Sequence, residues 1–123
     1  MAFINTDAYD AALDWIRTNG TRLDICSAEP ADYAAVATDS LGHKTSLSIG
    51  ADGAGTPSGR KVTVAAITDG TVTATDTAAY WAITDGSSVL VATGPLASSQ
   101  DVTSGNTFTL AAFDITFPAA TSA

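Results

Sequence analysis

The sequence is poor in the residue types that carry most catalytic and metal chemistry. Its 123 residues include one cysteine, Cys26, one histidine, His43, and one glutamate, Glu29. A lone cysteine excludes an intramolecular disulfide and a cysteine-based zinc site. No Gly-x-Ser-x-Gly elbow marks a nucleophile, although a Ser–His–Asp triad of residues distant in sequence stays open. We expect no enzyme activity, no catalytic residue and no cofactor, with His43 in an exposed turn.

Positive charge is also scarce. Five Lys and Arg residues oppose thirteen Asp and Glu residues, and the formal net charge is −8. Proteins that bind nucleic acids contact phosphates through clustered Lys and Arg, so this balance argues against DNA or RNA as a partner, and against an anionic membrane surface. Charged residues make up 15% of the chain, against about 25% in typical soluble domains. A surface so poor in charge suits close contact with other protein.

Long apolar runs are absent. No stretch approaches the roughly eighteen residues of a transmembrane helix, and no basic segment followed by an apolar run marks a secretory signal. We therefore expect a protein that is made and kept, or assembled, in a cytoplasm. The many aspartates form no Asp-x-Asp-x-Asp/Asn-Gly loop, so no calcium-binding loop of that type is predicted and no metal ligand is assigned. A surface calcium site at strand-end loops stays open.

The most informative stretch is Arg60–Gly94, which contains the sequence AITDG twice, at Ala66–Gly70 and Ala82–Gly86. Each copy places Asp-Gly between runs rich in β-forming residues, and Asp-Gly is a strong signal for a tight hairpin turn. Apolar residues alternate with Thr, Ser and Ala on both sides of each turn. The pattern predicts two hairpins within a half-buried antiparallel meander.

The rest of the chain predicts one helix and several strands. Tyr9, Ala12, Leu13 and Ile16 form an apolar stripe with helical spacing, with Trp15 off its centre. The predicted elements are a helix over Thr6–Asn19, a strand over Thr21–Cys26 with Leu23 and Ile25 inward, a helical turn over Ala31–Ala37, a turn at Ser40–Gly42, a strand over Lys44–Ile49, loops over Gly50–Gly59 and Pro95–Ser104, and a strand over Thr107–Phe117 with a β-bulge at Ala111–Ala112.

These elements predict a single, mainly β domain over residues 1–123. We expect an antiparallel β-sandwich or a partly open barrel of six to seven strands with one N-terminal helix. Residues 1–5 would form an N-terminal arm, 6–19 the helix, 21–118 the β domain and 119–123 a tail.

Two groups of residues are candidates for contact with a partner. Phe3 and Ile4 are apolar and lie in a segment with no neighbouring residues to cover them. They would either pack against the first turn of the helix as a hydrophobic staple or insert into a neighbouring subunit. The second group is the one basic cluster of the sequence, His43, Lys44, Arg60 and Lys61. It would contact an acidic patch on a partner or serve as a solvated edge that blocks aggregation of sheets.

Five segments between residues 21 and 118 together resemble a group of small virion structural proteins of tailed bacteriophages and prophages. The segments are Thr21–Pro30, Ser40–Gly50, Pro57–Gly70, Ala78–Leu96 and Val102–Pro118. The resemblance, with the size and acidity of the chain, implies a capsid decoration (cement) protein. Such a protein would bind the major capsid protein on the outside of the assembled head, often as a trimer, and would be found in the virion after assembly in the bacterial host cytoplasm.

Two alternatives stay open at this point. One is another virion protein, associated with the tail, baseplate or fibre, since the segment around Ala78–Gly94 also resembles β-modules of tail fibres. The other is a carbohydrate-binding or adhesion module that uses an aromatic ring as a stacking platform. Trp81 shares the apolar phase of Ile83 and is expected in the core, so Tyr80 is the better candidate for an exposed ring.

Overall fold

The computed structural model describes residues 5–51, 53–54 and 59–117. The predicted contacts Phe3 and Ile4 and the predicted tail 119–123 lie outside the described residues. The elements in chain order are α1 (Thr6–Asn19), β1 (Arg22–Cys26), α2 (Tyr33–Asp39), β2 (Ser40–Thr45), β3 (Gly53–Ala54), β4 (Arg60–Val64), β5 (Ile67–Val72), β6 (Asp76–Thr84), β7 (Leu90–Val102), β8 (Thr107–Leu110) and β9 (Phe113–Phe117).

The strands form two antiparallel sheets. Six strands in the order β7-β6-β1-β2-β5-β8 make a curled sheet that resembles half of a barrel, and three strands in the order β3-β4-β9 make a smaller one. The predicted fold class, mainly β with a partly open barrel and an N-terminal helix, is confirmed. The predicted helical turn near residues 31–37 is the short helix α2.

Helix α1 forms where the apolar stripe predicts it. The Asn5 side chain accepts a hydrogen bond from the backbone N–H of Asp7 at 2.8 Å, which satisfies one of the N–H groups left free at a helix start. Leu13 and Ile16 are buried and pack with Val62 of β4, while Trp15 is 49% exposed. The helix is therefore held to the small sheet by its predicted apolar face.

Strand β1 lies at the centre of the large sheet and pairs with β2 on one side and β6 on the other. Leu23 and Ile25 point into the main core, as predicted, where they join residues of both sheets. Cys26 points to the other face and packs under Val36 of α2. Because both faces of β1 are covered, the strand is buried from Leu23 to Cys26. The alternation of apolar and polar residues in its sequence predicts instead that one face is exposed to solvent.

The first predicted Asp-Gly hairpin is wrong. Asp69 and Gly70 lie inside β5, which continues to Val72. Gly70 is opposite Phe108 in the β5–β8 ladder, and a Cβ at this position would overlap the Phe108 ring. The glycine is therefore explained by the close approach of an aromatic ring, and its φ is not positive.

The predicted meander is also wrong, because β4, β5 and β6 are not sheet neighbours. Strand β4 belongs to the small sheet, and β5 pairs with β2 and β8. The second Asp-Gly copy does connect two paired strands, β6 and β7. The connection spans Asp85–Val89 and is longer than a two-residue turn, with Gly86 at φ 83°.

Two predicted strand boundaries are misplaced. The strand expected over Lys44–Ile49 is β2 at Ser40–Thr45, so the expected turn at Ser40–Gly42 lies within a strand. The chain leaves β2 at Ser46, whose φ is 54°. The loop expected over Pro95–Ser104 is largely strand, because β7 continues to Val102. Proline is tolerated there because β7 is the edge strand of its sheet.

The final strand is split into two. Strand β8 ends at Leu110 in the large sheet, and β9 begins at Phe113 in the small sheet. Ala111 and Ala112 connect them, so the change of apolar phase marks a crossing between sheets and the predicted β-bulge is wrong. This crossing ties the two sheets together beside the edge of β8.

We predict that Gly70→Ala lowers the free energy of unfolding by about 1 to 3 kcal/mol, because the added methyl group overpacks against the buried Phe108 ring. Urea unfolding would measure the loss. Phe108→Leu should relieve the clash, so the double variant should show a coupling of at least about 0.5 kcal/mol.

The matched control for this prediction is Gly53→Ala, since an added Cβ there meets nothing within 4 Å. Additive effects of Gly70→Ala and Phe108→Leu would contradict the ring contact as the reason for the glycine.

We predict an acid-sensitive connection between β6 and β7. The Asp85 carboxylate accepts the backbone N–H groups of Ser88, Val89 and Ser87, and these bonds lower the pKa of Asp85 to about 2. The pKa of Asp85 is lower in the folded state than its unfolded value of about 3.9, so the ionised carboxylate stabilises the fold at pH values above about 3.9. This contribution should be lost as the pH falls from about 4 through about 2.

The carboxyl carbon shift of Asp85, followed by NMR, should report a midpoint near that pKa. Asp85→Asn retains an amide oxygen as acceptor, so the variant should fold and should lose less thermal stability than the wild type between pH 6 and pH 2. A midpoint near pH 4 for Asp85 would contradict the assignment.

Candidate functional site

The most distinctive surface of the protein is the gap where the curled sheet fails to close. We call it the seam: the space between the free edge of β7 and the free edge of β8. Among the described residues, each of these strands has one neighbour in the sheet, β6 for β7 and β5 for β8. The Gln100 side chain of β7 donates a hydrogen bond to the backbone carbonyl of Thr109 on β8 at 3.2 Å. The two edges therefore face each other across the seam.

The seam contains a cavity of about 480 Å³, within the range of about 300–1,000 Å³ typical of ligand pockets. Its lining is mostly apolar or small: Trp81, Pro95, Leu96, Ala97, Ser98, Gln100, Leu110, Ala111, Ala112, Phe113 and Asp114.

Trp81 forms part of the floor of the seam. It is paired with Gly94 in the β6–β7 ladder, and a Cβ at Gly94 would lie 2.7 Å from the indole. The glycine therefore lets the indole lie across β7. The Trp81 and Phe113 rings are in contact, with centroids 4.8 Å apart. Trp81 was expected in the core, and it packs against the core while one part of it lines the seam.

A second, more polar pocket of about 380 Å³ lies beside α2. Its centre is Asp24, which is 1% exposed. Arg22 donates two hydrogen bonds to the Asp24 carboxylate, at 2.8 and 3.1 Å, and the Ser40 hydroxyl donates a third at 2.7 Å. This pairing raises the pKa of Arg22, first through the hydrogen bond to Asp24. A carboxylate bonded in this way is held in a fixed position.

His43 lines the same pocket, opposite Asp24 in the β1–β2 ladder. It lies within β2 and is half-buried, so the prediction of an exposed turn histidine is wrong. Serine, histidine and aspartate thus meet in one place, as the open triad alternative would require. In a catalytic triad the serine bonds to the imidazole, whereas the Ser40 hydroxyl donates directly to Asp24. The three side chains are therefore not linked by hydrogen bonds in the order that a triad requires.

Cys26 is fully buried on the α2 side of β1. Burial, with smaller effects from the nearby carboxylates of Asp24 and Asp39, raises the pKa of the Cys26 thiol to about 12. Because the thiolate is the reactive form, this cysteine has the character of a packing residue. The predicted position at a strand end is correct.

The predicted basic cluster is divided between the two sheets. His43 and Lys44 lie on β2, and Arg60 and Lys61 lie on β4. Each of the three cations faces an aspartate: Lys44 contacts Asp69 at 2.9 Å, Arg60 contacts Asp10 at 2.8 Å and Lys61 contacts Asp114 at 3.1 Å. Contact of these residues with a partner stays a prediction, and it would compete with these ion pairs.

Tyr80 is half-buried on the α2 side of the large sheet, where it packs against the cluster of Cys26, Val36 and Ala82. The expectation of an exposed ring is therefore met only in part. One face of the Tyr80 side chain is used in packing, which leaves less of it for stacking on a ligand.

The seam is not visible in the sequence. Leu96–Ser98 and Gln100 fall within the predicted loop Pro95–Ser104, and no local pattern marks a strand edge there. The signal that exists is indirect: Leu110 and Phe113 fall in opposite apolar phases, which marks the point where the chain crosses between the sheets.

The described residues contain no group of three or more His, Cys, Asp or Glu side chains arranged to hold a metal ion. In the same part of the chain, neither helix combines the length and the apolar character needed to cross a membrane.

Comparison with known proteins gives no relative: no family model matches the chain, no curated protein matches its sequence, and no solved structure matches its fold.

We predict that Asp24→Asn destabilises the fold by roughly 3 kcal/mol, the lower end of the cost of breaking a buried ion pair, since Arg22 is 37% exposed. Thermal or urea unfolding at pH 7 would measure the loss. Asp14→Asn is the matched control, because it breaks the exposed pair with Arg17 and should cost less than about 1 kcal/mol. Equal effects of the two substitutions on the free energy of unfolding would contradict a structural role for the buried Asp24 carboxylate.

Proposed function

We propose that this chain is a virion structural protein of a tailed phage, of the capsid decoration type, and that it acts by adhesion without making or breaking covalent bonds. It binds the major capsid protein on the outside of the assembled head and fastens neighbouring capsomers. A homo-oligomer, with a trimer as the arrangement implied by the resemblance, is part of the proposal. The virion is then its location.

The observation that carries the proposal is the seam. Two unpaired strand edges and an apolar lining are the features by which one protein adheres to another. The Trp81 and Phe113 rings supply the kind of aromatic surface that is enriched at the centre of interfaces. On a polyvalent lattice, many such contacts of modest strength add up through avidity.

The distribution of charge supports an adhesive role. The five Lys and Arg side chains each lie within 4 Å of an aspartate: Arg17, Arg22, Lys44, Arg60 and Lys61. The net charge of −8 is therefore carried by the remaining acidic residues. Such a surface favours a partner that presents neutral or basic groups.

Two chemically reactive side chains of the described residues, those of Asp24 and Cys26, are engaged in structure, which also supports adhesion. Asp24 is held by Arg22 and Ser40, and the Cys26 thiol has a raised pKa. A turnover assay in which replacement of His43 abolished activity would overturn this part of the proposal.

The copy number of the protein in purified particles tests the proposal. Particles from an induced culture of the organism that encodes the chain would be analysed by quantitative mass spectrometry, with the major capsid protein as the internal standard. We expect hundreds of copies per particle. A few multiples of three or six would indicate a tail or baseplate protein, and absence from the particles would favour a host adhesion module; either result contradicts decoration.

A further inference from the structure

The described strands of the large sheet do not close into a barrel, and the edges of β7 and β8 face the same gap. We propose that the seam binds an extended segment of a partner protein, which adds as a β-strand between β7 and β8. Strand addition of this kind gives affinity through main-chain hydrogen bonds and specificity through the side chains that alternate along the segment.

The hydrogen bond between Gln100 and Thr109 limits the width of the seam. Neighbouring strands lie about 4.8 Å apart, so one inserted strand separates two edges by two such spacings. The Gln100 side chain reaches from β7 to the Thr109 carbonyl on β8. A glutamine side chain with its hydrogen bond spans at most about two strand spacings, so the gap at Gln100 is no wider than one inserted strand requires. An entering segment would take the place of the Gln100–Thr109 hydrogen bond.

The directions of the strands restrict how the segment inserts. Every neighbouring pair in the large sheet is antiparallel, so β7 and β8 run in opposite directions. A single inserted strand is then antiparallel to one edge and parallel to the other. Antiparallel pairing is slightly more stable per residue, and β7 offers the longer edge, so the segment runs antiparallel to β7.

The lining of the seam specifies the chemistry of the segment. Ala97 and Ser98 are small and exposed, and Leu96, Leu110 and Phe113 are apolar, so side chains that face inward should be small or apolar. Asp114 is the one charged residue in the lining, and it is paired with Lys61 at 3.1 Å. The net charge of −8 therefore favours lysine or arginine at the ends of the segment and disfavours aspartate and glutamate.

This inference rests on the proposed function only for the identity of the partner, which would be a capsid protein with such a segment. The edges of β7 and β8, the limit on the width of the seam and the net charge of the protein do not depend on the proposed function. A test with peptides can therefore succeed or fail independently of the location of the protein in a virion.

A random seven-residue peptide library, selected on the immobilised full chain, tests the inference. We expect the enriched sequences to alternate small or apolar residues, to carry Lys or Arg near the ends and to lack proline at the centre. The tightest peptide would then be synthesised and titrated into isotope-labelled protein. Amide shifts should concentrate at residues 96–100 and 107–110, and N-methylation of alternate peptide bonds should weaken binding at least tenfold.

Substitutions on the β7 edge provide a second readout. Residues 96–99 of β7 bulge out between the pairs Tyr80–Pro95 and Ala78–Gln100, so both Ala97→Pro and Ser98→Pro are made to remove the N–H groups of this segment in turn. At least one of the two should bind the peptide at least tenfold more weakly, while the matched controls Ala97→Ser and Ser98→Ala, which keep the N–H, should bind as the wild type does. If a proline variant does not fold, the amide map of the wild type decides.

Enrichment of no sequence, amide shifts away from β7 and β8, or wild-type affinity in both proline variants would overturn the inference. If the protein occurs on particles in hundreds of copies but both folded proline variants attach as well as their controls, the inference fails and the proposed function stands. If the peptide binds in the seam but particles lack the protein, the proposed function fails and the inference stands.

Discussion

Burial of both faces of β1 is the constraint on which the rest of the structure depends. Leu23 and Ile25 are fixed in the main core, and Cys26 is fixed under α2. A one-residue shift of β1 would exchange the two faces and bring Asp24 into the apolar core. The pairing of β1 with β2 and β6 is therefore set without ambiguity, and the other strands extend the sheet outward from this pair.

The hydrogen bonds of the buried Asp24 carboxylate help to fix the register of β1. A carboxylate that is 1% exposed is costly to bury unless its oxygens are bonded, and Arg22 and Ser40 supply those bonds from the same strand and from the next. The two bonds from Arg22 are made within β1, whereas the bond from Ser40 forms only when β1 and β2 are in the observed register. Asp24 therefore favours this register through its bond to Ser40.

The sequence predicts those features that depend on local periodicity, namely α1, β1 and the apolar phase of Leu23 and Ile25. It fails where distant contacts decide. Asp69-Gly70 has the composition of a turn, but the role of Gly70 is set by the ring of Phe108 on another strand. The seam could not be predicted for the same reason, because it exists only when the curl of the sheet brings the edges of β7 and β8 together. Local propensity is a weak guide wherever tertiary packing overrides it.

An open seam raises the question of why the protein does not aggregate through it. Exposed edges pair readily with other sheets unless they are short, bent or recessed. Here β8 has four residues, and β7 carries Pro95 and a register shift opposite Ala78 and Tyr80. Each edge also faces the other across the seam, and this steric obstruction keeps the flat sheet of a second copy from pairing with it. A single extended strand can enter such a gap, and the geometry that prevents aggregation is thus the geometry that selects one kind of partner.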